Sequence, residues 1–503
     1  MTANCIRLWS NKLSPPMTRP LSPRIIASSF CALLLSSCAA VGPNFAPPAA
    51  VSATPGYLPP TDKASALVAA TPDAVARDWW TLMPSPDLDQ VIRMTLAGNL
   101  DLDAANASLD SARAELAAAR GAQLPDINAS SSAARERLNL ASFGFGGSSG
   151  GPSFPNNPEF SIYSVGAMAS FPLDAFGGLR RGTESAAARL EAQVHQRDAA
   201  WLTLGGQAAT LAVTIAVLRA ELAEVDQIIA DDRQNLDLVA RAEQAGAEPH
   251  SAGVSASAQL AADLTLVPPL RRQLDVARHG LAVLVGKAPA DWSPPDFDLT
   301  RLPMPQTLPV ALPSALVHAR PDILAAEARL HAATADIGVA RARLYPNITL
   351  SAGITQGSLT PEKVFDYKYS AFSLIGGVTQ PIFDGGRLKA GVTAAEARRR
   401  MAFDTYQQTV LHAFGQVADL MQSIAHDEEA LAAQRNAEGQ AVEALRLARL
   451  AYGAGGTGLF PVIDAARQLS NARLGLVRAE GQLRLDAVAL FVATGRGLAS
   501  PRP

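Results

Sequence analysis

Two stretches of the chain alternate between apolar and polar positions. After Pro346, Ile348, Leu350, Ala352 and Ile354 fall on one side, and Asn347, Thr349, Ser351 and Thr355 on the other. Tyr163, Val165, Ala167, Ala169, Phe171 and Leu173 keep the same period of two. That period predicts β-strands with one apolar and one wet face, as between lipid and an aqueous lumen. The connections at 137–160 and 357–368 carry Gly, Ser, Pro and Asn and are expected to be exposed. Beyond each strand pair lies a long proline-free stretch, Gly178–Ala245 and Gly386–Gly453. As a helix, each would reach about 100 Å at ~1.5 Å per residue, which implies a coiled-coil-like assembly. Val41–Thr71 and Pro289–Pro313 are proline-rich, cannot continue helices, and are expected to run extended along the outside.

The pattern occurs twice. Asn99–Pro125 lies over Arg320–Pro346, so that Asp101 meets Asp322, Leu109 meets Leu330, Arg120 meets Arg341 and Pro125 meets Pro346. Further on, the offset shortens: Pro172 meets Pro381, Gly177 meets Gly386, Gly246 meets Gly455 and Gly286 meets Gly495. The change falls in the segment containing Phe143–Pro152, so one loop is longer in the first half. Each half reads helix, strand, strand, long helix, turn, helix. Four strands per chain cannot sit in hydrocarbon with open edges. Two copies would close eight strands around their own side chains, whereas three would close twelve and leave a lumen. A long helical tube joined to a lumen is a conduit.

Composition narrows the class. Of 503 residues, 48% are hydrophobic but only 6% aromatic, a bias toward alanine that suits closely packed long helices. The net charge of −3 and the absence of a basic run argue against nucleic acid. At the N-terminus, Arg19 and Arg24 precede the apolar Ile25–Leu35, too short to span a bilayer and suited to a signal segment. It ends in Leu35-Ser36-Ser37-Cys38, which resembles the lipobox of bacterial lipoproteins, where the cysteine thiol takes a diacylglycerol. Translation from Met17 would retain everything such a signal needs. Removing residues 1–37 leaves 39 basic against 46 acidic residues, a net charge of −7. Cys38 is then the only thiol, so no disulfide can form within one mature chain. In such lipoproteins an aspartate after the cysteine suggests inner-membrane retention, so by that analogy Ala39 favours sorting to the outer membrane.

Several motifs imitate chemistry. Gly453-Ala-Gly-Gly-Thr-Gly458 has the glycines of a dinucleotide loop but follows a long helix instead of a strand, so it reads as a helix-hairpin turn. Gly146-Gly-Ser-Ser-Gly150 matches a nucleophile elbow in spacing alone, with no strand-turn-helix and no base placed for Ser148. Gly286-Lys287 lacks the glycines and hydroxyl of a phosphate loop and reads as a helix end, where a basic side chain complements the dipole. The seven histidines form no ligand spacing, so no metal site or enzyme chemistry is expected. Ala199–Leu218 carries no charge but lies inside a predicted long helix, where small residues allow close helix approach.

Taken in order, further motifs resemble the outer membrane factor family, the TolC-like and NodT-like efflux lipoproteins. They are Cys38–Asn44, Asp78-Trp-Trp80, Leu173–Gly177, Arg320-Pro-Asp-Ile323 with Ala326-Glu327, Ile337–Arg341, Tyr345-Pro-Asn347 and Pro381–Arg387. The resemblance implies an α+β membrane protein: a homotrimer with a twelve-stranded β-barrel on a periplasmic α-helical barrel. It implies a lipid on Cys38, no other cofactor, and work beside a periplasmic adaptor and an inner-membrane pump of the RND type. In that family a tyrosine and an aspartate twelve residues apart help close the periplasmic tip; Tyr452 and Asp464 match, while Pro461 stands where some members carry a second acid. Asp464 is thereby expected in an acidic ring, with capping of the next helix as the plain alternative. Adaptor contact falls to the turns at Gly246 and at Gly453, Gly455 and Gly456. The expected organisation is a signal peptide (1–37), a lipidated extended segment (38–86), repeat 1 (87–287), a proline-rich linker (288–313) and repeat 2 (314–503). The expected function is a passive outer-membrane exit duct for small molecules. A duct for type I protein secretion and a non-conducting lipid-anchored envelope rod are the alternatives.

Overall fold

The structure, a computed structural model, describes residues 40–49, 56–58, 65, 67–71, 76–139 and 158–495. Cys38, Gly146–Gly150 and Arg496 lie outside the described residues. The chain divides into two compact units.

The unit formed by 123–181 and 338–389, with 40–42, is built on a four-stranded antiparallel sheet. The described chain begins its strands with β1 (Val68–Thr71), in the other unit; the sheet comprises β2 (Asp126–Arg137), β3 (Glu159–Leu173), β5 (Asn347–Ser358) and β6 (Ser370–Thr379), in the order β2-β3-β5-β6. Register aligns the period-two pattern across all four strands. Ile127 pairs with Ala169, Ala169 with Ala352, and Ala352 with Leu374. One row away, Asn128 pairs with Met168, Met168 with Gly353, and Gly353 with Ser373. One face is therefore apolar and the other is dominated by hydroxyls, glycine and asparagine, because paired residues in an antiparallel sheet point the same way. Among the described residues, neither β2 nor β6 has a strand on its outer edge.

The other unit is helical: α1 (Pro86–Gly98), α2 (Leu100–Gly121), α3 (Gly178–Gln244), α4 (His250–Leu264), α5 (Val267–Leu284), α6 (Pro313–Ala319), α7 (Pro321–Ala342), α8 (Arg387–Gly453) and α9 (Phe460–Thr494), some of which begin or end outside it. Both α3 and α8 have 67 residues, about 100 Å at ~1.5 Å per residue. Asn99 breaks α1 from α2: its side-chain oxygen accepts from the amides of Asp101 (2.9 Å) and Leu102 (3.1 Å), capping the second helix. Arg320, its counterpart in the sequence overlay, is likewise extended between α6 and α7. The core centres on Trp79, Trp80, Met83, Ile215, Phe297 and Phe491, with Trp79 stacked on Phe491 at 5.5 Å.

Two expectations need correcting. The Pro289–Pro313 linker does not run along the outside: Phe297, Leu299, Leu302 and Leu308 are buried, and β4 (Leu308–Ala311) pairs in parallel with β1. Proline prevents helix but leaves the alternate apolar side chains able to enter a core. The helix that returns after α3 is not continuous. It breaks between α4 and α5 at Thr265 and Leu266, immediately before Val267-Pro268-Pro269, where a proline amide cannot bond backward and its ring obstructs the preceding turn. The corresponding α9 runs unbroken for 35 residues. The uncharged Ala199–Leu218 stretch lies in α3 with Ala208, Ala209, Ala212, Val213 and Ile215 fully buried, which makes it a helix-packing segment of this core.

Candidate functional site

The two helix hairpins end in matched turns. After α3, Gly246 takes φ +74° and donates to the Glu243 carbonyl (2.9 Å), while Ala247 donates to Ala242 (2.9 Å). After α8, Gly455 takes φ +72° and donates to Tyr452 (3.0 Å), while Gly456 donates to Ala451 (2.9 Å). Each is a Schellman closure that satisfies the last carbonyls of a helix and requires a left-handed residue where glycine carries no Cβ penalty. The Gly453–Gly458 motif is thus a helix-hairpin turn, with Gly453 the last residue of α8. Glu248 joins the two tips, its carboxylate accepting from the Leu459 amide (3.4 Å) just before α9, where the helix dipole favours an acid.

A small apolar core lies behind the turns: Val239, Ala256, Leu445, Leu459, Val462, Ala465 and Leu469, with Tyr452 half-buried against it. Asp464 is in the second turn of α9, so it does not cap that helix. Its two oxygens accept from Arg467 (2.7 Å) and Gln468 (2.7 Å) of the same helix. Within one chain these bonds run along α9. Farther from the tips, two carboxyls are pushed up. Burial, and the neighbouring Asp263 carboxyl, raise Asp232 to about 7; burial and the Asp486 carboxyl raise Asp427 to about 6. Like charges held at close range cannot both ionise freely.

Sequence reading missed the strand-to-helix corners. Asp174 accepts from the amides of Leu179 and Arg180, both at 2.9 Å, at the start of α3. Asp384 does the same for Gly386 and Leu388, both at 2.9 Å, at the start of α8. Those amide bonds hold the Asp384 carboxyl below its ordinary range. The signal was present: Leu173-Asp-Ala-Phe-Gly177 and Phe383-Asp-Gly-Gly386 each place an aspartate before positive-φ glycine and a helix. The Asp232–Asp263 and Asp427–Asp486 pairs had no such local signal, because their members lie far apart in the chain.

The chain's own geometry is that of a strand sheet with one apolar and one polar face and of paired helix hairpins of extreme length. The family described as Outer membrane efflux protein matches residues 91–287 and 312–496. The chain belongs to that family. It is 30% identical over 480 residues to the pyoverdine export outer membrane protein OpmQ of Pseudomonas aeruginosa, covering 93% of this chain and 97% of that one. It is also 30% identical to nodulation protein T of Rhizobium leguminosarum bv. viciae, over 95% of this chain and 94% of the other. The solved outer-membrane channel OprN superposes with a TM-score of 0.79 at 26% identity, covering 91% of this chain and 99% of that one. This outer membrane efflux protein is accordingly an outer-membrane channel component for efflux. Its two family-matched segments contain the two strand pairs and the two long helices, so the matching portion is the channel architecture itself.

Proposed function

We propose that this efflux protein works as a homotrimer in which three sheets close into one twelve-stranded barrel and the long hairpins of three chains form a helical tube. The observation that carries the reading is the sheet: one face apolar, the other polar, and both outer edges without a strand among the described residues. Backbone groups on such edges must pair before the sheet can enter hydrocarbon. Eight strands would fill their own interior, whereas twelve leave a passage. The recurrence of the element order supports an internal duplication, with repeats at 87–287 and 314–503 flanking the linker at 288–313.

The duct is passive and carries out no covalent chemistry; transport energy comes from an inner-membrane pump of the RND type, reached through a periplasmic adaptor. The adaptor docks on the exposed turns at Gly246 and at Gly453, Gly455 and Gly456. After removal of 1–37, a lipid on Cys38 anchors the segment 38–86 to the membrane, and no other cofactor is involved. Tyr452 and Asp464 form the constriction, where three copies of Asp464 would favour cations, although Arg467 on the same helix offsets part of that field. Small molecules are the cargo, in keeping with the pyoverdine export named for OpmQ.

The test is a solution mass of the detergent-extracted protein together with planar-bilayer recordings. A trimer with a small discrete conductance is expected; a monomer or dimer without conductance would overturn the reading. Asp464→Ala is expected to raise conductance or weaken cation preference. Unchanged values would remove Asp464 from the gate without touching the duct.

A further inference from the structure

The apolar face of the sheet is interrupted at one place by charge. On β3 that face runs from Leu173 through Phe171, Ala169, Ala167 and Val165 to Tyr163. This is about 33 Å of strand at ~3.3 Å per residue, and a barrel tilt of roughly 35–45° reduces it to about 25 Å, the height of an outer-membrane hydrocarbon band. The next positions on the same face are Ser161 and Glu159, paired with Arg135 and Arg137 of β2. Glu136 belongs to the opposite face by alternation. Arg135 donates through Nη2 to Glu159 Oε2 at 3.2 Å, and Arg137 Nε stands 3.8 Å from Glu159 Oε1. The two arginine side chains are 77% and 64% exposed.

Two guanidiniums against one carboxylate leave a net positive charge just beyond the hydrocarbon, on the surface that faces lipid. On the other hairpin the last lipid-side positions in register, Gln356, Ser358 and Ser370, stand level with Val165 and Tyr163 and are all neutral. The charges beyond them, Glu362, Lys363, Asp366 and Lys368, lie in its connection, outside the strand pairing. The charged end is also the hairpin end of the strands; the Asp126 and Leu173 ends are the ones that lead to helices. With the helices on the periplasmic side, Arg135 and Arg137 lie at the outer leaflet. A surface ion pair contributes little alone, whereas a guanidinium fork bonds a phosphate through two parallel N–H groups and is weakly hydrated, which suits the headgroup layer.

We infer that Arg135 and Arg137, oriented by Glu159 between them, form a binding site for the phosphate of an outer-leaflet lipid headgroup. The inference rests on the channel reading for its orientation in the membrane. The lipid is held at the outer end of β2, the strand that must pair with a neighbouring copy, so its headgroup would reinforce a seam of the barrel from outside.

The experiment is native mass spectrometry of the full-length lipoprotein in mild detergent, titrated with lipid A, dephosphorylated lipid A and phosphatidylethanolamine. The wild type is expected to hold lipid A about tenfold more tightly than the dephosphorylated form, a difference of roughly 1.4 kcal/mol. Arg135→Gln/Arg137→Gln is expected to lose that margin, and the double lysine substitution to keep part of it. Equal retention by wild type and the glutamine variant would overturn the site. Full displacement of lipid A by millimolar inorganic phosphate would also overturn it, assigning the arginines to a free anion. Should the variants fail to assemble, the wild type's preference between the two lipid A forms decides alone, and no preference ends the proposal. Conductance recorded on the same samples separates the two claims: a non-conducting wild type defeats the channel reading, whereas a conducting protein indifferent to phosphate defeats only this site.

Discussion

A close approach of two helices supplies a stability test. A Cβ built on Gly481 of α9 would stand 2.4 Å from Cγ2 and 3.1 Å from Cγ1 of Val217 on α3. The contact has a reciprocal partner: Gly206 of α3 would place its Cβ 2.4 Å from Cγ2 of Val492 on α9. Glycine and valine exchange places along one antiparallel seam, each glycine receiving the other helix's branched side chain. Replacing glycine by alanine inside a helix ordinarily stabilises by about 1 kcal/mol. Here overpacking opposes it by about 1–3 kcal/mol, and a helical valine has one strongly preferred χ1, so Val217 cannot swing aside cheaply. Gly481→Ala should therefore range from neutral to about 2 kcal/mol destabilising, despite improving helix propensity. With an unfolding entropy near 2.1 cal/mol/K per residue, a chain of this length loses about 1 °C of Tm per kcal/mol. The assay is thermal unfolding in detergent at one fixed scan rate, with the Val217→Ala single and double variants completing a cycle. In the Val217→Ala background the alanine at 481 should recover its propensity gain, a coupling of about 0.5–3 kcal/mol. If Gly481→Ala stabilises equally in both backgrounds, the close-packing argument is wrong.

Three further outcomes follow from the same geometry. Gly246→Ala and Gly455→Ala meet no atom within 4 Å, so their cost is the left-handed backbone alone, about 1–2 kcal/mol, seen as faster hydrogen exchange confined to the hairpin tips; Gly453→Ala, whose φ is not positive, should slow that exchange. The Asp384 carboxyl is held below its ordinary range by helix amides, so its stabilisation is complete above about pH 4, the unfolded carboxylate pKa, and disappears as pH falls through the lower folded value; Asp384→Asn should flatten the acid limb of a thermal-stability profile. Asp232 has the opposite sign. Its folded pKa of about 7 exceeds the unfolded value, so stability declines as pH rises from about 4 to 7, and Asp232→Asn should remove that share of the slope, leaving the Asp427 share between about 4 and 6, and raise the neutral-pH Tm.

What could be read from the residues divides along physical lines. The strands were legible because Ile348, Leu350, Ala352 and Ile354 repeat at the pleat's own period, and a face so defined survives pairing in only one register parity. The long helices were legible from the absence of proline, and the turns at Gly246 and Gly455 because left-handed backbone selects glycine. The break between α4 and α5 was written in Pro268-Pro269 but obscured by its place inside an otherwise helical pattern. Burial of Phe297 and Leu302 was not legible, since proline spacing speaks to backbone conformation and not to which side chains find a core. The carboxyl pairs were invisible for a different reason: burial and the Asp486 carboxyl raise Asp427 only when two helices bring the two residues together.

Small side chains recur in both units. On α3, Gly206, Ala208, Ala209 and Ala212 let a neighbouring helix come close enough for valine to enter the gap left by a missing Cβ. On the sheet's polar face, Ser130, Gly166 and Thr355 form one row and Ser132, Ser164 and Gly357 another, with Ser132 and Ser164 in hydroxyl contact at 2.7 Å. Neither row carries a charge or a bulky group. A surface of that kind supplies hydrogen bonds to water without narrowing a passage or selecting a sign of charge. The acids of that face stand at its two ends, Asp126 and Glu136; others lie at Asp464 near a helix turn and in pairs such as Asp232 and Asp263 between helices. If three sheets close around that polar face, its middle rows leave the passage open and wet.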